Sequence, residues 1–304
     1  MELGGVNGRS RVPRQTPAFD SMPDKPLEEP RIRFSGFYHA ALCGILYHTA
    51  LTLAGWRYPH YLHHRRMNGL YQAFTWLRAG VRKQWFRLKE RRVISELHSR
   101  HAGKYFVVPL QVQDDAQIRC YSRYDSIESF IEEVATSFAE HAAADECIVF
   151  KHHPMDRGYV DYSHFMERVR ANTGLGERLY YVHDVPMPKL LEHTRGAVMV
   201  NSTTGISALH HKVPVKLLGE AIYDIPGLTS RAPLDEFWHE PGKIDRNLYV
   251  RFRNWLLSHT QAHGTFYRRL PGLKTPTGIN WDPVSLPGAT PDTAPAPEAA
   301  PEPA

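Results

Sequence analysis

A run of small polar residues has the composition of an anion-binding turn. It consists of Asn201, Ser202, Thr203 and Thr204. The run follows Ala197–Val200, an apolar segment typical of a buried strand, and leads through Gly205 into a helical pattern at 206–209. Hydroxyl and free backbone N–H groups at the start of a helix favour phosphate, and the helix dipole adds partial positive charge. Such residues are equally common as plain helix N-caps, so both interpretations remain open.

A second polar cluster follows another predicted strand, Cys147–Phe150. Its members are Lys151, His152, His153, Pro154, Asp156 and Arg157. The cations and an imidazole in it could donate hydrogen bonds to the same phosphate. The alternative interpretation is a solvated turn after the strand, punctuated by Pro154 and Gly158.

A third polar cluster follows the apolar run Tyr105–Leu110. It contains Gln111, Gln113, Asp114, Asp115 and Gln117. Open parallel sheets bind ligands beyond the carboxyl ends of their strands. The three clusters are therefore predicted to line one crevice.

The elements that would position these clusters alternate between strands and helices from Lys104 onward. The predicted strands are Tyr105–Leu110, Cys147–Phe150, Leu179–Val182, Ala197–Val200 and Val215–Leu218, with helical patterns at 127–138, 162–169, from Pro188, at 206–209 and at 248–256. This alternation predicts an α/β fold with a doubly wound parallel sheet. The composition, 42% hydrophobic and 23% charged, excludes a fully disordered chain, a collagen and a coiled coil.

Four segments are predicted along the 304 residues. They are a polar linker at 1–30, a helical basic segment at 31–103, a Rossmann-like domain at 104–270 and a Pro/Ala-rich tail at 271–304. The tail is predicted to be disordered, because its composition cannot bury enough apolar surface to offset its ordering entropy.

The positive charge of the chain is concentrated in one stretch. Between Arg57 and Lys104 twelve Lys and Arg residues face only Glu90 and Glu96, a local net charge of +10 within a chain whose total is +5. Such a field attracts an anionic partner: a phospholipid surface, a nucleic acid or an acidic glycan. Aromatic residues between the arginines would suit single-stranded nucleic acid, but no RNA-binding signature is present, so we expect no nucleic-acid partner.

The uncharged segment Ser35–Trp56 is long enough to suggest a membrane span. Its histidines, tyrosines and threonines interrupt the apolar run, so a buried or interfacial helix is favoured. The first thirty residues are polar and show no secretory signal, and the odd, widely spaced cysteines fit a reducing cytoplasm.

Metal binding is not predicted, although the chain has 18 histidines. Three adjacent His pairs occur, but neighbouring residues on a strand face opposite sides, and no His-Glu-x-x-His motif is present. No cofactor is expected either.

Several strings in this order resemble the capsule polysaccharide biosynthesis/export family of the KpsS/LipB type. They are GGVNGRSRVPR near the start, Tyr58–Arg65, VPLQVQDDAQI, VFKHHPMDRGYVDY, VNSTTGISALHH, PVKLLGEAIYDIPGLT and TQAHGTFY, spread over residues 4–267. The resemblance implies the donor-binding half of a GT-B glycosyltransferase. It implies transfer of Kdo from the substrate CMP-Kdo to a phosphatidylglycerol-type lipid, which starts the capsule linker.

The resemblance also implies roles for particular residues. The His-Pro and Ser/Thr motifs that related sialyltransferases use for the CMP phosphate match His153–Pro154 and Ser202–Thr203. Lys151, Arg157 and Asn201 would supplement that donor site, and Gln111 and Asp115 would face the sugar. The expected partners are the nucleotide sugar, an anionic lipid acceptor, the inner-membrane surface and other capsule assembly proteins. The expected location is cytoplasmic, peripheral to the inner membrane.

The family also implies a further N-terminal half, whose carboxylate would be the catalytic residue. Such a half would precede Gly4, so the sequence leaves the catalytic residue unknown. The alternative interpretation is a truncated, inactive paralogue that binds nucleotide or lipid beside the capsule export machinery.

Overall fold

A computed structural model describes residues 12–27, 37–58, 60, 69–113 and 115–260 of the chain. The predicted tail at 271–304, the string TQAHGTFY beyond Thr260, most of GGVNGRSRVPR and of Tyr58–Arg65, and Asp114 lie outside these residues.

Five parallel strands form the sheet, as the sequence predicts. They are β1 (Tyr105–Pro109), β2 (Cys147–Lys151), β3 (Leu179–Val182), β4 (Gly196–Met199) and β5 (Val215–Leu217). Their spatial order is β3-β2-β1-β4-β5, and every pairing is parallel. The order reverses between β1 and β4, which creates a topological switch point at their carboxyl ends. The doubly wound α/β fold is confirmed.

Helices cover both faces of this sheet. They are α1 (Phe37–Ala54), α2 (Gly69–Lys89), α3 (Arg91–Ser99), α4 (Ala116–Tyr121), α5 (Ile127–His141), α6 (Ser163–Thr173), α7 (Met187–Leu191), α8 (Thr204–His210), α9 (Leu234–Phe237) and α10 (Arg246–His259), with 3-10 turns at Thr16–Phe19, Gly55–Arg57, Pro154–Asp156 and Gly176–Arg178. Side chains of α5 and α6 pack on one face. Those of α3 cover β1 and β2 on the other face, and those of α8 and α10 cover β4 and β5 there.

Burial on both faces explains why the strands are apolar without alternation. Every residue of β1 and β2 is buried, and successive residues of β1 enter different cores: Phe106 and Val108 on one side, Tyr105 and Val107 on the other. Lys151 is the exception at the end of β2, and it marks the edge at which the sheet meets a polar site.

Residues 12–27 pack against the domain, although the sequence placed them in a linker. The Phe19 ring is fully buried and lies edge-on to Phe252 of α10 at 5.5 Å between centroids. The Asn254 amide donates to the carbonyls of Pro23 and Lys25 at 2.8 Å. One buried aromatic ring and these backbone contacts hold the polar segment on α10.

Most of the predicted uncharged segment forms α1 and the turn after it, but several of its large apolar side chains are exposed. Leu46, Leu53 and Trp56 are 61%, 69% and 79% exposed. None of the helices in the described ranges has the length and apolarity needed to cross a bilayer. The packing of α1 against α2 is close at Gly44, where an added Cβ would lie 3.7 Å from the Trp76 ring.

Candidate functional site

A cavity of about 530 Å³ lies at the carboxyl ends of β1 and β2, beside the first residue of α8. It is lined by Thr75, Trp76, Ala79, Lys83, Pro109, Leu110, Lys151, His152, His153, Pro154, Met155, Arg157, Tyr159, Asp184, Val185, Pro186, Met187 and Thr204. The lining includes four residues predicted for the donor site: Lys151, His153, Pro154 and Arg157. The cavity therefore lies at the carboxyl ends of the strands, the edge at which open parallel sheets bind ligands.

His153 is held in one orientation by the turn that it begins. Its Nδ1 accepts the backbone N–H of Met155 at 3.2 Å, so it caps the 3-10 turn that starts at Pro154. The proton of the neutral ring is thereby assigned to Nε2. Burial lowers the pKa of His153, and the positive charge of Lys151 is the second cause. At neutral pH His153 is thus a neutral N–H donor at the cavity wall.

Lys151 is a buried cation with an unusual proton affinity. Its Nζ donates to the backbone carbonyls of His152 and His183. Burial lowers the pKa of Lys151 to about 8, and the positive charge of Arg157 is the second cause. An anion in the cavity would stabilise the protonated form.

Arg157 is buried and paired with a carboxylate from the neighbouring strand end. Its Nη2 donates to Asp184 Oδ1 at 3.0 Å and to the carbonyl of His183 at 3.1 Å. Burial lowers the pKa of Arg157, whereas Asp184 opposes that shift. Arg157 therefore brings less net charge to the cavity than the sequence alone indicates.

Glu90 anchors the same strand end from the side of α2. This buried carboxylate accepts the backbone N–H groups of His183 and Asp184 at 2.7 and 2.8 Å. Burial raises the pKa of Glu90, while these hydrogen bonds and Lys151 lower it. Glu90 thus fixes the loop that carries Asp184.

Two buried imidazoles, those of His152 and His183, lie next to this loop. His152 Nδ1 bonds Tyr181 Oη at 2.7 Å, and the His183 ring stacks on Phe86 of α2 with 3.6 Å between centroids. Burial lowers the pKa of His152 to about 3 and that of His183 to about 2, so both rings are neutral. His152 Nε2 and His183 Nδ1 are buried atoms with no hydrogen-bond partner.

The residues predicted to face the sugar are engaged in a brace across the switch point. Gln111 Nε2 donates to Asn201 Oδ1 at 3.0 Å and to Asp115 Oδ2 at 3.1 Å, and Gln111 Oε1 accepts the Asn201 N–H. Asp115 Oδ1 also caps α4 by accepting the N–H of Gln117. Their polar atoms thus tie the ends of β1 and β4 together. Contact with a sugar stays a prediction.

Of the Ser/Thr run only Thr204 lines the cavity, whereas the predicted donor residues Asn201, Ser202 and Thr203 do not. Ser202 Oγ accepts the Thr204 N–H at 3.2 Å and bonds its hydroxyl at 3.1 Å, while Thr203 is exposed beside the cavity wall. Tyr223 donates its hydroxyl to the Ser202 carbonyl, and a Cβ at Gly205 would lie 2.2 Å from that Tyr223 oxygen. Glycine at 205 is therefore needed for this turn to close.

The wall opposite the strand ends is α2, which sequence reasoning assigned only to a basic segment. A Cβ at Gly158 would lie 2.5 Å from the Thr75 carbonyl oxygen, so backbone meets backbone there. Arg78 donates to the Gly158 carbonyl at 3.0 Å, and Arg82 pairs with Asp161 at 2.7 Å. The polar residues recur every three or four positions on one side of the helix. That spacing was the available signal.

One group of potential metal ligands occurs among the described residues, and it lies outside this cavity. His98, Glu192 and His193 have ligand atoms within 4.8 Å of one another, and the last two are exposed. His98 Nε2 already contacts the Lys189 carbonyl at 2.8 Å. The adjacent pairs His152–His153 and His210–His211, which the structure describes, do not contribute to this group.

The fold and the cavity define a class: a parallel α/β protein with an anion-suited cavity at the carboxyl ends of its strands. The chain belongs to the capsule polysaccharide biosynthesis protein family, whose model matches residues 1–267. This confirms the resemblance seen in the sequence motifs.

Two relatives specify the family further. The capsule polysaccharide export protein KpsS of Escherichia coli is 39% identical over 280 residues, which cover 88% of this chain and 69% of that protein. The capsule polysaccharide modification protein LipB of Neisseria meningitidis serogroup B is 38% identical, over 90% of this chain and 67% of that protein. The chain thus spans about two thirds of the length of these relatives.

A solved structure with similarity is that of KpsC from Thermosulfurimonas dismutans, a beta Kdo 2,7 transferase. It is 23% identical, with a TM-score of 0.35, and the match covers 59% of this chain and 57% of that one.

Proposed function

We propose that the chain binds CMP-Kdo in the cavity at the strand ends, here called the donor cavity, and serves transfer of Kdo to an anionic phospholipid at the cytoplasmic side of the inner membrane. The observation that carries the proposal is the convergence of Lys151, His153 and Thr204 on one cavity at the strand ends. Membership of the capsule family supports a role in capsule assembly, and the resemblance of the sequence motifs supports the choice of sugar.

The chemistry of the cavity suits a departing nucleotide phosphate. In the proposed reaction the bond between the sugar and the CMP phosphate oxygen breaks, and negative charge collects on that phosphate. Lys151 brings a positive charge, and His153 brings an Nε2–H donor that does not need protonation. Preorganised donors of this kind stabilise charge developing in a transition state, so the proposal requires no divalent metal.

The apolar part of the cavity suits the remaining surface of a ligand. Trp76, Leu110 and Val185 line it together with the polar groups. Ligand sites commonly combine an apolar lining with a few placed polar atoms.

A membrane location is supported by the outer side of α2. Phe74, Leu77, Val81, Trp85 and Leu88 follow one another at helical spacing, and each is between 58% and 68% exposed. Exposed cations flank this stripe, as in helices that lie in a bilayer interface. The proposed occupant of the stripe is an anionic bilayer, because apolar contact and charge attraction act there together.

The first test is calorimetry of the full chain with CMP, UMP and AMP. CMP should bind more tightly than the other two nucleotides. Because His153 donates one hydrogen bond to a charged group, worth about 1.5–3 kcal/mol, His153→Ala should weaken CMP binding more than tenfold. His164→Ala, which removes an exposed imidazole on α6, is the matched control. Equal affinity for all three nucleotides would overturn the donor site.

The second test is transfer. The chain is incubated with CMP-Kdo and phosphatidylglycerol vesicles, and the lipids are examined by mass spectrometry. A Kdo-lipid adduct that disappears with His153→Ala supports transfer by the chain. CMP binding without adduct would support donor binding alone, the role expected of an inactive partner protein.

A further inference from the structure

A second pocket, of about 550 Å³, shares one wall with the donor cavity. Its lining comprises Lys83, Arg87, Glu90, Arg91, Ile94, Asp184, Val185, Pro186 and Lys189. Lys83 and the Asp184–Pro186 loop line both pockets, so a ligand in one lies beside a ligand in the other. We call this second pocket the basic pocket.

The basic pocket has an excess of positive charge that its own carboxylates do not neutralise. Glu90 is buried and turned toward the backbone N–H groups of His183 and Asp184. Asp184 is paired with Arg157 at 3.0 Å. Both acidic groups in the lining are therefore already engaged.

Three of the cations that line the basic pocket are free of carboxylate partners among the described residues. Within the described part of the chain, Arg87, Arg91 and Lys189 form no ion pair with a carboxylate. All three are exposed at the rim, on α2, α3 and α7. Three separate elements thus bring unpaired cations to one depression.

We propose that the basic pocket binds the phosphate ester of the acceptor. This rests on the proposed function, since it places the acceptor phosphate next to the sugar of the bound donor. Two guanidinium groups offer planar pairs of N–H donors that match phosphate oxygens, and a lysine adds a point charge. A phospholipid headgroup and a soluble phosphate ester present the same chemistry.

The test compares two double variants that remove the same charge. Arg87→Gln with Arg91→Gln empties the basic pocket of guanidinium groups. Lys89→Gln with Arg92→Gln removes two exposed cations that do not line it. The probes are glycerol 1-phosphate, measured by calorimetry, and vesicles of phosphatidylglycerol or phosphatidylcholine, measured by sedimentation.

The pocket variant should bind glycerol 1-phosphate and phosphatidylglycerol vesicles at least tenfold more weakly than the wild type, a change of about 1.4 kcal/mol. The control should lose less than threefold for vesicles and nothing for glycerol 1-phosphate. A loss confined to vesicles assigns the site to the lipid headgroup, and a loss confined to glycerol 1-phosphate assigns it to a soluble ester. Equal losses in both variants, or none, would overturn the pocket as a site.

CMP binding separates this inference from the proposed function. Both double variants should keep wild-type affinity for CMP, because neither changes the donor cavity's Lys151 or His153. If the wild type fails to bind CMP while the pocket variant alone loses phosphate binding, the anion site stands and the proposed function falls. If CMP binds and the variants behave alike, the function stands and the basic pocket falls.

Discussion

The lowered pKa of Lys151 predicts that CMP affinity depends on pH in the alkaline range. With a pKa of about 8, Lys151 is protonated to about three quarters at pH 7.5 and to about one tenth at pH 9. A phosphate beside Nζ favours the charged form and shifts this pKa back toward its ordinary value. CMP affinity should then fall about eightfold from pH 7.5 to pH 9, and binding should take up about 0.9 protons at pH 9.

The pH window separates the titration of Lys151 from that of His153 and of the CMP phosphate. The phosphate of CMP has its second pKa near 6, and the pKa of His153 is lowered from 6.5, so neither changes charge there. Folding lowers the pKa of Lys151, so the unfolded chain binds more protons between about pH 8 and pH 10.5. The contribution of Lys151 to the free energy of unfolding therefore rises with pH over that window. The titration of Lys151 thus weakens CMP binding without destabilising the folded protein.

The assay is calorimetry in two buffers of different ionisation enthalpy, which counts the protons taken up. Lys151→Met should bind CMP weakly and without proton uptake, whereas the control Lys89→Met, an exposed lysine of α2, should behave as wild type. Unchanged CMP affinity between pH 7.5 and pH 9, or proton uptake that persists in Lys151→Met, would refute the assignment of the phosphate to Lys151.

Two further predictions concern α2. In Gly158→Ala the added Cβ would lie 2.5 Å from the Thr75 carbonyl oxygen and push α2 away, so we expect a loss of about 1–3 kcal/mol in unfolding free energy and weaker CMP binding. The control Gly80→Ala, with nothing within 4 Å of its Cβ, should lower neither quantity. Wild-type values for Gly158→Ala would contradict the close packing. The double variant Leu77→Ser with Trp85→Ser should abolish the part of vesicle binding that resists high salt, since each of these exposed side chains contributes about 1.5–3 kcal/mol when it enters the bilayer. Unchanged binding at high salt would contradict the apolar docking of α2.

The sheet was predictable from the sequence because its strands are buried on both faces. Continuous apolar runs such as Cys147–Phe150 leave no other interpretation at that length, and β2 exceeds the prediction by only Lys151. The convergence of the clusters could likewise be argued from strand direction. Lys151 and His153 line one cavity, but Thr204 lines it in place of the predicted Ser202 and Thr203. Whether these residues hold CMP stays a prediction.

The contribution of α2 could not be predicted with the same reasoning. Its apolar residues, such as Leu77 and Trp85, normally indicate the buried side of a helix, but in this protein they are exposed. The inward side carries Thr75 and Arg82, which contact Gly158 and Asp161 far along the chain. Glu90, directly after the helix, accepts the backbone N–H of His183. The periodicity of the sequence predicts the helix, whereas contacts with distant polar residues determine which side of it faces the domain.

The brace between Gln111 and Asn201 has a consequence for how the protein acquires its crevice. The two residues are 90 positions apart in the sequence. In the sheet β1 lies between β2, the next strand in the sequence, and β4, which comes much later in the sequence. Pairing of β1 with β4 must close a long loop, so its entropy is unfavourable until most of the domain is in place. During synthesis the β1–β2 pair can form while β4 is still being made. We therefore expect the brace between β1 and β4 to be among the last parts of this sheet to assemble.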